Sequence, residues 1–271
     1  MGTAMALRLF ETDHDVTVWN RSPQPLEALR RAGVAVSQDL AAAVAETPVV
    51  ITMLTDGDAV RSVAEQMLPV LAADAVWVQA STVGAEWADR LRALAEDHDR
   101  SMLDAPVSGS TSPARSGSLT WLVSGPPSAV DRTSPVLDAL GSRTLLVGEA
   151  QQASRLKLVV NAWMTTATVA IADALQASEE LGIGRQALLD VLTDGPLGMP
   201  YALQKAALMR REDYQPGFPV ELALKDVRLL AQAQEHPLPL LDVVEQRLSA
   251  AAEAGHARDD LAAVAAIPAV R

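Results

Sequence analysis

The pattern of apolar and polar positions changes near residue 150. Before that point, short runs rich in Val, Ile and Trp alternate with longer stretches that repeat their apolar residues at helical spacing. The runs at residues 15–19, 48–54, 75–80, 119–123 and 144–147 predict strands, and the stretches at residues 1–10, 25–32, 57–72, 84–97 and 127–140 predict helices. Because strands separated by helices form βαβ units, we predict an α/β unit with a mainly parallel sheet.

The second half of the chain is predicted to be all-α. Residues 151–181 contain no Gly or Pro and are rich in Ala and Leu, which predicts one long helix that ends at Gly182. Shorter helices are predicted over residues 185–193, 199–210, 219–235 and 239–254. We therefore expect two domains, residues 1–150 and residues 151–271, with the long helix between them as a spine.

The start of the chain resembles a Rossmann-type dinucleotide-binding unit without its first strand. Such a unit places a strand and a G-x-G-x-x-G turn before its first helix, and Gly2 matches only the last glycine of that turn. The first strand of such a sheet is central. Its absence is expected to leave backbone groups of the two neighbouring strands without hydrogen-bond partners, and each such buried group costs about 1–3 kcal/mol of stability. Either the numbering begins late, or binding through the pyrophosphate turn is impaired.

Composition excludes several classes of function. A net charge of −12 without a basic cluster excludes a nucleic-acid partner, and the absence of cysteine excludes disulfides, thiolate nucleophiles and Cys-based metal sites. The four histidines are scattered without metal-ligand spacing. No uninterrupted apolar run reaches the roughly 18 residues that span a bilayer, and no signal peptide is recognisable. We therefore expect a cytoplasmic protein without a membrane partner.

Asn20, Arg21 and Ser22 follow the strand at residues 15–19, where a Rossmann unit meets the adenosine ribose of its cofactor. A carboxylate at this position holds the 2′-hydroxyl of NAD, whereas an arginine accommodates the 2′-phosphate of NADP. The residues here favour NADP(H), with NAD(H) still possible. An ordinary Asn-Ser-Pro turn explains the same residues about equally well.

Several motifs together are similar to those of the β-hydroxyacid dehydrogenases, the family of 3-hydroxyisobutyrate dehydrogenase. Asp104-Ala-Pro-Val-Ser-Gly-Ser110 resembles the substrate-binding D-A-P-V-S-G-G signature, and Lys157 with Asn161 resembles the K-x-x-x-N of the catalytic helix. Weaker matches occur in the same order as in the family and cover nearly all of the chain: they are Met1–Ala6, His14–Ser22, Met53–Asp56, Ser81–Val83 and Leu224–Val227.

The resemblance implies an NAD(P)-dependent oxidoreductase that acts on a small carboxylate-bearing substrate. Lys157 would be the general acid/base, Asn161 would hold the substrate or orient the lysine, and Ser108 and Gly109 would bind the carboxylate. The cofactor contacts would come from Gly2, Asn20, Arg21, Ser22, Met53, Leu54, Thr82 and Lys225, with Asp226 orienting Lys225. Two observations from the residues support Lys157: it shares a helix face with Asn161 at i, i+4, and only three of the 22 basic residues are lysines.

Departures from the family pattern and rival interpretations leave the substrate open. Ser110 replaces a second glycine and Thr55 replaces a proline, so substrate scope can differ. An imine reductase shares this architecture but usually lacks the lysine, and an NADPH-binding protein without turnover is a further alternative. The chain is too short for a decarboxylating 6-phosphogluconate-type enzyme. Apolar faces on several helices predict a homodimer or homotetramer.

Overall fold

The computed structural model describes residues 1–148 and 151–267. The chain divides into two compact units, Met1–Lys157 and Leu158–Arg271. The sequence predicts the domain boundary after residue 150, and residues 149 and 150 lie outside the described ranges. The long helix begins at Gln152, so it starts within the first unit and continues into the second.

The first unit alternates strands and helices, as the sequence predicts. Its strands are β1 Thr17–Val18, β2 Ala35–Val36, β3 Val49–Thr52, β4 Val76–Gln79, β5 Ser101–Asp104, β6 Val107–Ser108, β7 Leu119–Ser124 and β8 Gly141–Gly148. Its helices are α1 Gly2–Glu11, α2 Gln24–Arg31, α3 Leu40–Val44, α4 Gly57–Met67, α5 Ala85–Asp97, α6 Thr111–Ser116 and α7 Pro127–Leu140. The sequence analysis missed β2, β5, β6, α3 and α6, which are all short.

Within residues 1–148, the main sheet has six strands and is mainly parallel. Strands β3, β4 and β5 pair in parallel and end in register, with Thr52 opposite Gln79 and Gln79 opposite Asp104. Strand β7 is antiparallel to β5 and β6, and β8 is parallel to β7. The predicted α/β class with a mainly parallel sheet is confirmed.

Helices cover both faces of the central strand β4. Val76 and Val78 pack with residues of α1 and α7, whereas the intervening Trp77 packs with residues of α4 and α5. All three side chains are fully buried. Because successive side chains of a strand point to opposite faces, consecutive apolar residues such as these require cover on both sides of the sheet.

The sheet is divided where the sequence analysis expected a central strand to be missing. Strands β1 and β2 form a separate parallel pair, and within residues 1–148 no strand pairing joins them to β3. A cavity of about 730 Å³ is lined by both β1 and β3 and by apolar residues of α1. Strand β1 spans two residues, not the predicted five. The short length of β1 is consistent with its pairing to β2 on one side only.

The second unit is helical, as predicted. Helix α8, Gln152–Glu180, is followed by α9 Arg185–Thr193, α10 Pro200–Arg211, α11 Val220–Gln232, α12 Pro239–Ala251, a π-helical turn Ala252–His256 and a 3₁₀ helix Leu261–Ala266. A buried ion pair joins α10 to the start of the 3₁₀ helix. Lys205 Nζ lies 2.6 and 2.8 Å from the two carboxylate oxygens of Asp260. Asp260 also accepts hydrogen bonds from the backbone N–H groups of Gly217, Phe218 and Ala262.

Helix α8 is long and apolar enough to cross a membrane by length and composition alone, with a mean hydropathy of 1.4 over 18 residues. No uninterrupted apolar run of that length occurs in the sequence, so run length alone does not single out this helix. Half of that window is buried inside the structure. A stripe of buried polar residues also follows the helix, at Ser154, Lys157, Asn161, Thr165 and Thr168. Such a stripe is typical of a helix that packs inside a protein.

Candidate functional site

The residues expected to contact the cofactor in the first unit follow the carboxyl ends of parallel strands. Asn20 to Ser22 follow β1, Met53 and Leu54 follow β3, and Thr82 follows β4. In an open α/β sheet, ligands bind outside this edge. Gly2 opens α1 next to the β3 loop, because a Cβ on Gly2 would lie 3.8 Å from Met53 Cβ. The helix N-terminus there offers backbone N–H groups that suit a phosphate.

Ser81 fixes the loop after β3 through a buried network of hydrogen bonds. Its Oγ accepts a bond of 2.8 Å from the backbone N–H of Leu54 and donates one of 3.3 Å to the carbonyl oxygen of Thr52. Its backbone N–H donates to Gln79 Oε1 at 2.7 Å, and Gln79 Nε2 donates to the carbonyl oxygen of Ser81 at 2.9 Å. The ends of β3 and β4 are therefore held together just before Met53, Leu54 and Thr82.

The segment after β1 forms a turn that leaves a cation exposed. Asn20 Nδ2 donates a hydrogen bond of 2.8 Å to the carbonyl oxygen of Ser22. Arg21 and Ser22 are both exposed. The two interpretations of this segment are therefore compatible, since Asn20 builds the turn while the guanidinium of Arg21 stays accessible to an anion.

Ser108 and Gly109 lie at the end of β6. Ser108 is opposite Thr120 of β7 and is half-buried, and Gly109 is exposed. Gly109 has a φ of 134°, and a Cβ there would lie 2.8 Å from Leu119 Cδ2. Only glycine fits this backbone without strain. The departure at Ser110 causes no backbone strain, because Ser110 is extended and precedes α6.

Lys157 is the last residue of the first unit, and its relative exposure is 8%. The buried first turn of α8 lies immediately before it, at Ala153 and Ser154. Burial sets Lys157 apart from an ordinary solvated lysine on a helix surface, since lysine is almost never fully buried without a specific partner.

In the second unit, Asn161, Lys225 and Asp226 lie close together. Asn161 Nδ2 donates a hydrogen bond of 2.5 Å to Asp226 Oδ2, and Lys225 Nζ lies 3.2 Å from Asp226 Oδ1. Asp226 therefore contacts both partners, whereas the sequence analysis assigned it to Lys225 alone. The Oδ1 atom of Asn161 is buried and accepts no hydrogen bond from the described residues. The described residues therefore leave the acceptor capacity of this atom unused.

Sequence reasoning missed the polar residues that support the site. Thr52, Gln79 and Asp104 are buried polar residues that each end a strand, and Ser124 and Ser154 pack against Asp104. The sequence signal that could have identified these residues is a polar residue at the end of an apolar run. Trp163 of α8 is exposed, with a relative exposure of 65%. Across the described ranges, no group of His, Asp and Glu is arranged to hold a metal ion.

Comparison with known families identifies both halves of the chain. Residues 1–148 match the family described as the NAD binding domain of 6-phosphogluconate dehydrogenase. Residues 151–267 match the family described as the NAD-binding domain of NADP-dependent 3-hydroxyisobutyrate dehydrogenase.

Individual relatives agree with this assignment. The chain is 32% identical to a probable 3-hydroxyisobutyrate dehydrogenase of Mycobacterium tuberculosis over 86% of its length and 82% of the relative's. It is 30% identical to glyoxylate/succinic semialdehyde reductase 1 of Arabidopsis thaliana over 89% and 84%. The structure of M. tuberculosis 3-hydroxyisobutyrate dehydrogenase with L-serine matches with a TM-score of 0.89 and 30% identity, covering 98% of this chain and 94% of the other.

We expect Ser81→Ala to weaken binding of the nicotinamide cofactor and to lower the free energy of unfolding. The substitution leaves the N–H of Leu54 without its acceptor, which costs about 1–3 kcal/mol. Thermal unfolding and fluorescence titration with NADPH measure the two effects. Ser128→Ala, at an exposed position of α7, is the matched control. Unchanged stability and affinity in Ser81→Ala would show that the network does not support the loop.

Proposed function

The chain belongs to the β-hydroxyacid dehydrogenase family, whose members are NAD(P)-dependent oxidoreductases, and we propose that it uses NADP(H) to interconvert a small β-hydroxyacid and the corresponding semialdehyde or keto acid. One observation carries the proposal. A buried lysine, Lys157, and a buried amide, Asn161, lie one turn apart on α8 in a chain that also carries the Ser108-Gly109 signature.

The preference for NADP(H) over NAD(H) rests on the segment after β1. Arg21 is exposed directly after the strand, and no acidic residue occurs between Asn20 and Gln24 to bind a ribose 2′-hydroxyl. The guanidinium of Arg21, with the hydroxyl of Ser22, offers a charge-assisted site for the 2′-phosphate. Gly2, Met53, Leu54, Thr82 and Lys225 complete the proposed cofactor site.

The substrate carboxylate binds at Ser108 and Gly109, through the hydroxyl and the backbone N–H groups of this segment. NADPH, when held at the proposed cofactor contacts, would supply the hydride for reduction of the substrate carbonyl group. Lys157 donates the proton from Nζ to the carbonyl oxygen, which gives the hydroxyl group, and regains a proton from solvent. Asn161 accepts a hydrogen bond at its unpartnered Oδ1 and is held by Asp226. In the oxidative direction Lys157 accepts the hydroxyl proton.

The substrate class follows from the carboxylate site and from the relatives. One relative is named as a reductase of glyoxylate and succinic semialdehyde, and a solved relative is described with L-serine, which is a 3-hydroxy acid. Aldehydes that carry a carboxylate are therefore the first substrates to test. We also propose that the protein is cytoplasmic and that it forms a homodimer or homotetramer. The exposed apolar surface at Val159 and Trp163 of α8 supports the oligomer.

Imine reduction is the second candidate activity. Lys157 disfavours it, because in the family that the chain resembles a lysine at this position serves carbonyl and alcohol chemistry, and imine reductases usually lack it. Activity on a cyclic imine that exceeds activity on every carboxylate-bearing aldehyde would favour imine reduction.

We expect Lys157→Ala to reduce kcat by at least about 100-fold, since general acid–base catalysis contributes roughly 10²–10⁴-fold. The affinity for NADPH should stay within about twofold, because the substitution removes a proton donor and leaves the proposed cofactor contacts intact. NADPH oxidation with glyoxylate and with succinic semialdehyde measures the effect. Gln152→Ala, at an exposed position of the same helix, is the control. Near-normal turnover in Lys157→Ala would remove the lysine from the mechanism.

We expect Arg21→Ala to weaken NADPH binding about tenfold and to change NADH binding less than about twofold. A lost charge-assisted hydrogen bond is worth about 1.5–3 kcal/mol, and about 1.4 kcal/mol corresponds to tenfold in affinity. Fluorescence titration with each nucleotide measures the two dissociation constants. Arg30→Ala removes the same charge from an exposed position on α2. An equal loss for NADPH and NADH would contradict the assignment of Arg21 to the 2′-phosphate.

A further inference from the structure

The first turn of α8 is capped by side chains from two distant strands. Ser154 donates its backbone N–H to Asp104 Oδ2 at 2.7 Å and its hydroxyl to Asp104 Oδ1 at 2.5 Å. Ala153 donates its N–H to Ser124 Oγ at 3.2 Å, and Ser124 Oγ donates to Asp104 Oδ2 at 3.3 Å. The relative exposures of Asp104, Ser124 and Ser154 are 1%, 2% and 2%.

This arrangement differs from an ordinary helix cap. A cap side chain usually comes from the residue just before the helix, whereas Asp104 is 50 residues from Ser154 and Ser124 is 29 residues from Ala153. The two capping residues end β5 and β7 and are paired with each other in the sheet. A carboxylate also interacts favourably with the positive end of the helix dipole. The start of α8 is therefore fixed to the main sheet.

The cap lies close along the chain to two proposed functional residues. Ser154 precedes Lys157 by three residues, which is about 4.5 Å of helical rise. Asp104 precedes Ser108 by four residues, which is at most about 14 Å of extended chain. A small displacement of the first turn of α8 therefore moves the proposed proton donor relative to the proposed carboxylate site.

We propose that Asp104 is a positioning residue for the reaction, and that its hydrogen bonds to Ser154 hold Lys157 in place for proton transfer. The inference rests on the proposed function of Lys157. Asp104 itself touches neither substrate nor cofactor in this account. Its burial raises the pKa of its carboxyl group, while hydrogen bonds from Ser154 and Ser124 and the charge of Arg155 act in the opposite direction.

The test compares Ser154→Ala, which removes the hydroxyl donor, with Ser154→Thr, which retains it. The assay follows NADPH oxidation with glyoxylate or with succinic semialdehyde, whichever reacts faster. We expect kcat to be about tenfold lower in Ser154→Ala than in the unsubstituted protein. The KM for NADPH should stay within twofold, and Ser154→Thr should recover most of kcat. Asp104→Asn should also lower kcat, and combining it with Ser154→Ala should add little further loss. A purely structural cap would alter the melting temperature but not kcat of the folded enzyme.

Chemical labelling gives a readout that does not require turnover. With three lysines in the chain, acetic anhydride labelling followed by mass spectrometry can report each one. Labelling of Lys157 should rise several-fold in Ser154→Ala, whereas labelling of buried Lys205 should not change. If Lys157→Ala is inactive but the Ser154 and Asp104 variants show normal kcat and labelling, the positioning role is refuted. If Lys157→Ala remains active, the proposed function fails instead, and labelling alone then decides whether the cap fixes Lys157.

Discussion

Three parallel strands end together on buried polar residues, and the partners of these residues define the candidate site. Thr52, Gln79 and Asp104 lie in register at the ends of β3, β4 and β5, with relative exposures of 5%, 0% and 1%. Buried polar groups are costly unless they are hydrogen-bonded. The Thr52 hydroxyl bonds to Trp77 and Gln79 of the neighbouring strand, whereas Gln79 and Asp104 bond to segments beyond the strand ends. Gln79 holds Ser81, which holds Leu54, and Asp104 holds the first turn of α8.

The sequence predicts the elements of this fold better than the contacts between them. Val-rich runs such as β3 and β4 are recognisable locally, whereas β5, with the sequence Ser-Met-Leu-Asp, contains no β-branched residue. The bonds that fix the site join residues 27, 50 and 65 positions apart, as in Leu54–Ser81, Ser154–Asp104 and Asn161–Asp226. No local pattern carries such information, because these contacts exist only once the strands have paired and the helices have packed.

The three lysines illustrate the limit of an argument from composition. Arginine is the usual cation of this chain, and the sequence analysis assigns functional roles to two of its three lysines, Lys157 and Lys225. Lys205 forms a buried ion pair with Asp260 that also orders neighbouring backbone, and no proposed step uses it. Lys157 and Lys225 differ from it because they occur within family motifs. Scarcity therefore indicates that each lysine has a specific environment, and only the surrounding motif separates a structural role from a catalytic one.

The central claim is that the chain transfers hydride from NADPH to an aldehyde that carries a carboxylate. The most direct measurement incubates the purified chain with NADPH deuterated at one C4 position, in turn on each face, and with succinic semialdehyde or glyoxylate. The account predicts one deuterium in the hydroxyacid product from one of the two labelled cofactors and none from the other. Tight NADPH binding without transfer of deuterium to any such substrate would contradict the account and favour a nucleotide-binding protein without turnover.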